Sequence, residues 1–242
     1  MYLSWIIPTR NEERRIEKTV REVDAYLRSK SFPGGYEILV VDGASHDKTQ
    51  EIVNRLVEEL GTVRLVETEP RGKGWNVKEG MLAGKGDIRL FSDADNATSP
   101  DHFDKMIPLF EAGNDVVISS RNPKDVAGSV YERPESGIRQ LAGKMGNVYI
   151  QFAGVSGIWD TQNGFKAATA KAAEDIFSHL TILGFAFDVE MLVITKIRKY
   201  KMGIIPVHWK HDPDSKVTAK AYLQVLMDVT KIGMNRLMGK YK

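Results

Sequence analysis

A chain of 242 residues, 42% of them hydrophobic and 27% charged, is long enough to bury a full core and has an ordinary globular composition. Its formal charge of +2 is too small to drive binding to nucleic acid, and the lack of cysteine excludes disulfides, zinc–thiolate centres and thiol nucleophiles. The first residues are too few and too soon charged for a signal peptide, and no apolar run approaches the roughly 20 residues of a spanning helix. The expectation is a cytoplasmic protein, in solution or peripheral on the cytoplasmic face of a membrane.

In chain order, residues 3–7 read as a buried strand ended by Pro8, followed by a loop and a helix with Ile16, Val20, Val23 and Leu27 at helical spacing. Residues 36–41 form a second strand running into Asp42 and Gly43, 47–60 a helix, and 63–67 a third strand. Residues 74–84 read as a helix, 88–91 as a fourth strand, 103–110 as a helix and 116–119 as a fifth strand. This alternation predicts an α/β fold, a mostly parallel sheet with helices on both faces. Ligands of such sheets bind beyond the carboxyl ends of the strands. Residues 122–136 are polar and turn-rich, 137–152 read as a helix, and 160–166 as a polar knot before a short helix over 171–177. A helix over 187–200, a strand over 204–209 and a last helix over 219–238 complete the pattern. No linker divides the chain, so one domain is expected: 1–120 binding the donor, 121–215 on the acceptor side, and 216–242 a basic amphipathic helix.

Polar clusters follow the first, second and fourth strands. Pro8, Thr9, Arg10, Asn11 and Glu12 can hold a base or phosphate through backbone amides and a guanidinium, or serve only as a helix cap. Asp42 can accept from a base N–H or a ribose hydroxyl. Residues i and i+2 of a strand point the same way, so Asp93 and Asp95, flanking Ala94, aim together past the end of the fourth strand. Two hard oxygen donors there suit Mg²⁺ or Mn²⁺ with phosphates completing the shell; the alternative is a polar loop. Arg71-Gly72-Lys73-Gly74 lacks the spacing of a P-loop, no serine-hydrolase elbow occurs, and the first loop lacks the Gly-x-Gly-x-x-Gly of nicotinamide enzymes.

Taken in order, residues 7–12, 41–45, 71–74, 93–95 and 160–166 resemble family 2 inverting glycosyltransferases of the GT-A fold. Among these the series is most similar to dolichyl-phosphate β-glucosyltransferases and dolichol-phosphate mannose synthases. The resemblance implies that Pro8, Thr9, Arg10, Asn11, Glu12, Asp42, Lys73, Asp93, Ala94 and Asp95 bind the nucleotide sugar, with Asp93 and Asp95 holding the metal. Mannose synthases of this group carry a further ligand, a glutamine, where this chain has Ala97. That leaves the third position to Asn96, water, His208 or His211. Arg121 and Arg139, with Arg133 as a third, match arginines that bind the lipid phosphate, and Ser215 and Lys216 a pair near the phosphates. A solvated surface is the alternative for the arginines.

An acceptor phosphate is already ionised at neutral pH, its second pKa being about 6, and needs no strong base. A sugar hydroxyl would need a carboxylate to take its proton, and Asp160 is the candidate. In the phosphate reading Asp160 orients sugar or acceptor, which leaves Asp95, Asp160, Arg121 and Arg139 as the catalytic set. The expected activity is hexose transfer, from UDP-glucose or GDP-mannose, to a polyprenyl or dolichyl phosphate. Transfer to a sugar hydroxyl, a sugar-1-phosphate nucleotidyltransferase and a non-catalytic sugar-nucleotide binder are the alternatives. The last helix carries an apolar stripe and an excess of lysine and arginine, which suits either an anionic lipid interface or packing on its own domain.

Overall fold

The computed structural model describes residues 2–131, 149–209 and 219–242. Its chain runs β1 (Leu3–Thr9), α1 (Ile16–Arg28), β2 (Tyr36–Asp42), α2 (Thr49–Leu60), β3 (Val63–Glu67), α3 (Lys73–Ala83) and β4 (Ile88–Ser92). A 3-10 turn (Pro100–Lys105), α4 (Ile107–Glu111), β5 (Val116–Ser120) and β6 (Val130–Tyr131) follow. After a π-turn (Gln151–Val155) come β7 (Phe165–Thr169), α5 (Ala170–Ser178), α6 (Phe187–Ile197), β8 (Met202–Pro206), β9 (His208–Trp209) and α7 (Ala219–Leu237).

Seven strands make one sheet in the order β3-β2-β1-β4-β7-β5-β8. Every pairing is parallel except that β7 runs antiparallel to both β4 and β5. The α/β expectation therefore holds, with one inverted strand in the middle. Alternate residues of the central strands feed two cores: Ile6, Leu39 and Phe91 face the layer of α3, α5 and α6, whereas Trp5, Ile7 and Val40 face α1 and α2. All are fully buried, which is why these strands read as unbroken apolar runs rather than alternating ones. On the helices, buried Ile16, Val20, Val23 and Leu27 give α1 its inward stripe, and Gly61, in the left-handed region at φ 67°, closes α2.

Four boundaries differ from the sequence reading. Pro8 does not end β1, which continues to Thr9 opposite Asp42. Pairing with β4 stops at Ile6 opposite Phe91, so Pro8 lies beyond one of its two ladders, where a missing N–H is tolerated. The single helix over 103–110 is a 3-10 turn and a short helix meeting at Met106. Residues 165–169 are a strand, not the tail of a polar loop. The strand over 204–209 is two strands: β8 joins the main sheet, and β9 pairs with β6 in a separate two-stranded one. The helix expected over 137–152 falls largely outside the described residues.

Candidate active site

The loops after β1, β2 and β4 meet at the carboxyl edge of the sheet, and each contains a non-glycine residue at positive φ: Asn11 and Ala44 at 55°, Asn96 at 50°. Such backbone is strained, most of all for alanine, and persists only where its surroundings enforce it. The enforcing contacts are hydrogen bonds between loops. The Asn11 amide donates to Ser45 Oγ at 2.8 Å and Asn11 Oδ1 accepts from the His46 amide at 2.8 Å. The Glu12 amide donates to Thr49 Oγ1 at 2.9 Å. Underneath, buried Asn76 of α3 donates to the Thr9 carbonyl at 3.1 Å and accepts from Thr68 Oγ1 at 2.9 Å. It packs so closely on Gly43 that a Cβ there would stand 2.6 Å from its amide nitrogen. Sequence reasoning missed Asn76, which looks like any polar residue on a helix.

Asp42 has no exposed surface. Its carboxylate accepts from the Ser45 amide at 2.9 Å, from Ser45 Oγ at 2.5 Å and from Gln50 Nε2 at 2.7 Å, with Thr9 Oγ1 at 3.4 Å. The side chain expected to meet a base is thus spent on its own loop. Arg10 is exposed, and Glu12 is half-buried and paired with Arg15 at 3.4 Å. Ala94 is anchored through its carbonyl, which accepts from Thr19 Oγ1 at 2.6 Å.

Asp93, Asp95, Ala97, Thr98, Arg121, Gln162, Asn163 and Gly164 line a pocket of about 110 Å³. Asp93 sits just past β4, its amide bonded to the Gly164 carbonyl at 3.0 Å. Gly164 lies against the carboxylate, and a Cβ there would be 2.2 Å from Asp93 Oδ2. Lys73, first residue of α3, brings its ammonium to 2.6 Å from Asp93 Oδ1. Burial works against the lysine's charge, but Asp93, Asp188 and Asp95 outweigh it and raise the pKa. Asp95 is exposed at the pocket mouth, where it also accepts from the Ala97 amide at 3.0 Å.

Across the pocket Arg121, just after β5, grips Asp160 with Nε at 2.8 Å and Nη2 at 2.7 Å, and its amide adds a third bond at 2.7 Å. Asp125 fixes the backbone of Trp159 and Asp160 from behind, at 2.7 and 2.8 Å. Burial pushes the Asp160 carboxyl up, but the charge and hydrogen bonds of Arg121 prevail and hold it below the usual carboxylate range. Asn163, also buried, accepts from Thr98 Oγ1 at 3.4 Å and leaves its Nδ2 without a partner. A buried donor on a pocket wall is suited to a ligand oxygen.

Behind Asp93 lies a second charged pair. Lys166 of β7, wholly buried, donates to Asp188 Oδ1 of α6 and to the Asn163 carbonyl, both at 2.5 Å. Burial pushes the Asp188 carboxyl up, with Lys166 and Lys73 pulling the other way. Asp188 was not singled out from the sequence because the helix over 187–200 reads as amphipathic, with its polar residues on a solvated face; in the structure residues 187–195 are all buried, Asp188 included.

The structure thus gathers Lys73, Asp93, Asp95, Arg121 and Asp160 and places Pro8–Glu12 and Asp42 one and two strands away along the same edge. Of the candidates for a third metal ligand, Asn96 turns its amide nitrogen to Glu22 at 2.8 Å, and His208 is not on the pocket wall. Among the described residues no three acidic or histidine side chains are placed so that together they could hold a metal ion. His211, Arg133, Arg139, Ser215 and Lys216 lie outside the described residues. The last helix buries Val229, Ile232 and Asn235 and exposes Leu223, Leu226, Met227, Met234, Leu237 and Met238. The reading of a helix packed on its own domain therefore holds for one side, and the other side is left as exposed apolar surface. No helix among the described residues is long and apolar enough to cross a membrane.

Comparison with known proteins gives the same picture. Residues 4–177 match Glycosyl transferase family 2. The chain is 31% identical to dolichyl-phosphate beta-glucosyltransferase ALG5C of Trichomonas vaginalis, over 97% of this chain and 71% of that one. It is 32% identical to dolichyl-phosphate beta-glucosyltransferase of Homo sapiens, over 99% and 77%. Its fold is similar to that of glucosyl-3-phosphoglycerate synthase from Mycobacterium tuberculosis, solved with Mn²⁺, UDP-glucose and phosphoglyceric acid. The TM-score is 0.66 at 18% identity, covering 96% of this chain and 80% of the other.

Proposed function

The chain belongs to glycosyl transferase family 2, is a hexosyltransferase and has the GT-A fold, and from that premise we propose that it transfers glucose from UDP-glucose to a dolichyl or related polyprenyl phosphate. The activity for which its relatives are named supports glucose over mannose and the lipid phosphate as acceptor, and the UDP-glucose complex of a structural neighbour supports the donor.

The observation that carries the choice of acceptor is the Arg121–Asp160 grip. A general base must be free to take a proton and have a pKa near the working pH. Asp160 is held on both oxygens by Arg121, and its pKa is depressed, so it makes a poor base for a sugar hydroxyl. It makes a good clamp for an arginine. An acceptor phosphate arrives ionised and asks only for positive charge and alignment. Arg121 supplies charge on the acceptor side, Lys73 lies on the donor side, and Asn163 Nδ2 offers a neutral donor between them. Attack then comes from the face opposite the departing diphosphate, inverting the anomeric carbon.

Asp93 and Asp95 are the residues that would hold a divalent cation. They fit one: an ammonium already stands at Asp93 Oδ1, and Mg²⁺ is commonly bound by one or two carboxylates with phosphates and water. Ala97 is then no obstacle. When bound, such a cation offsets charge building on the leaving diphosphate. The outward side of α7, with Lys231, Lys240 and Lys242 nearby, supports peripheral contact with an anionic membrane such as the cytoplasmic leaflet.

The test is to incubate the protein with Mg²⁺ or Mn²⁺, a panel of labelled nucleotide sugars and a short polyprenyl phosphate. Glucose entering the lipid phase from UDP-glucose is expected. Transfer only to a saccharide would overturn the acceptor, and transfer only from GDP-mannose the donor. Asp93→Ala should abolish turnover while leaving the thermal melt in place, which separates an enzyme from a non-catalytic binder.

A further inference from the structure

Two lysines and two aspartates alternate between the pocket and the core: Asp93, Lys73, Asp188 and Lys166. Only the first lies on the pocket wall. Lys166 and Asp188 are 0% and 3% exposed, too deep to touch a substrate. A buried pair of this kind is expensive to desolvate and is rarely the most stable filling for a core. Lys73 is a quarter exposed and its ammonium stands 2.6 Å from Asp93 Oδ1, with the negative charge of Asp188 also favouring its protonated form. The backbone beneath it is fixed. Gly72, at φ 126°, and Gly74 lie against the 182–184 backbone, and a Cβ on Gly72 would stand 2.5 Å from the Leu183 carbonyl oxygen.

We propose that Lys73 is an internal counter-ion that occupies Asp93 while the donor site is empty and passes to the donor diphosphate when the cation takes its place. Asp188, fixed by Lys166, is the positioning residue that keeps the ammonium balanced during that exchange. The inference rests on the metal reading of Asp93 and Asp95 given above. It treats Lys73 and the cation as alternative occupants of one carboxylate, so the lysine weakens metal binding alone and strengthens binding of metal and diphosphate together.

Mn²⁺ binding without nucleotide, read by electron paramagnetic resonance, tests this, with UDP binding by calorimetry alongside. Lys73→Met should tighten Mn²⁺ and weaken UDP, each by roughly tenfold. Asp188→Asn should weaken Mn²⁺, because Lys73 then holds Asp93 alone, and that effect should vanish in the Lys73→Met background. Should Asp188→Asn leave Lys166 too poorly matched to fold, Lys166→Met with Asp188→Asn removes both charges and should show the same dependence on Lys73. If Asp188→Asn shifts Mn²⁺ equally with and without Lys73, Asp188 acts on the metal directly and the inference falls. It falls too if Lys73→Met leaves Mn²⁺ affinity unchanged. Mn²⁺ binding that is absent even with UDP present, or is then indifferent to Asp95→Asn, would instead sink the metal reading beneath it.

Discussion

At the scale of single residues, the pocket is built by close approach as much as by charge. Gly164 touches the Asp93 carboxylate, and no side chain fits between them. Gly164→Ala should therefore push Asp93 aside, costing at least tenfold in kcat, with a stability loss of about 1–3 kcal/mol from overpacking. Activity and thermal melt measured together separate the two effects. Asp160→Asn tests the clamp: Arg121 keeps its charge but loses its bidentate partner, and kcat/KM should fall by about a hundredfold. Because the Asp160 carboxyl is held below its ordinary value, it stays ionised throughout the neutral range. Its stabilising contribution is complete above the ordinary carboxylate range and is lost only as pH falls through the depressed value. Wild-type rate should accordingly show no limb from Asp160 between about pH 5 and 8. A limb there that Asp160→Asn removes would contradict the role assigned to it.

At the scale of elements, the buried strands and the helices with one apolar stripe were legible in the sequence, because burial on one or two faces leaves a period behind. β7 was not. Lys166 is its second residue, and a lysine in a five-residue run reads as solvent-facing until Asp188, 22 residues on, is known to meet it. The same holds for Asp42, correctly placed at the end of β2 but turned inward by Ser45 and Gln50, which no spacing rule announces. Lys73 was read as a basic residue beside the nucleotide; that it rests on Asp93 is a tertiary fact. A second inter-element tie lends itself to measurement. Asp175 of α5 is held at about 2 by hydrogen bonds from Arg198, against some burial, and from Tyr200. This contribution is present above the ordinary aspartate value near 4 and disappears as pH falls from there towards 2. Asp175→Asn should lower stability by about 1–2 kcal/mol at pH 7, and the difference should narrow in melts taken below about pH 4 and close only near or below about pH 2.

At the scale of the whole molecule, the exposed side of α7 presents leucine and methionine at positions 223, 226, 227, 234, 237 and 238, with Leu237 88% exposed. If this surface makes the peripheral membrane contact proposed above, its apolar side chains are what insert. Replacing Leu226, Met234 and Leu237 together by aspartate should abolish sedimentation with anionic vesicles. Transfer to a short, water-soluble polyprenyl phosphate should be unaffected; a loss of both would place α7 in the chemistry instead. The inverted strand has a different bearing, on how the chain assembles itself. β7 lies between β4 and β5, so a strand from residues 165–169 fills a gap between strands completed by residue 120. Until it arrives, β4 and β5 each have an open edge, and closure waits on contacts 73 to 81 positions apart at β4 and 48 to 52 at β5. A chain cut between β5 and β6 should then yield an N-terminal piece that aggregates alone and a soluble, active protein only when both pieces refold together. Sedimentation and activity of the separate and co-refolded pieces would measure how far the middle of the sheet, rather than its edge, depends on the second half of the chain.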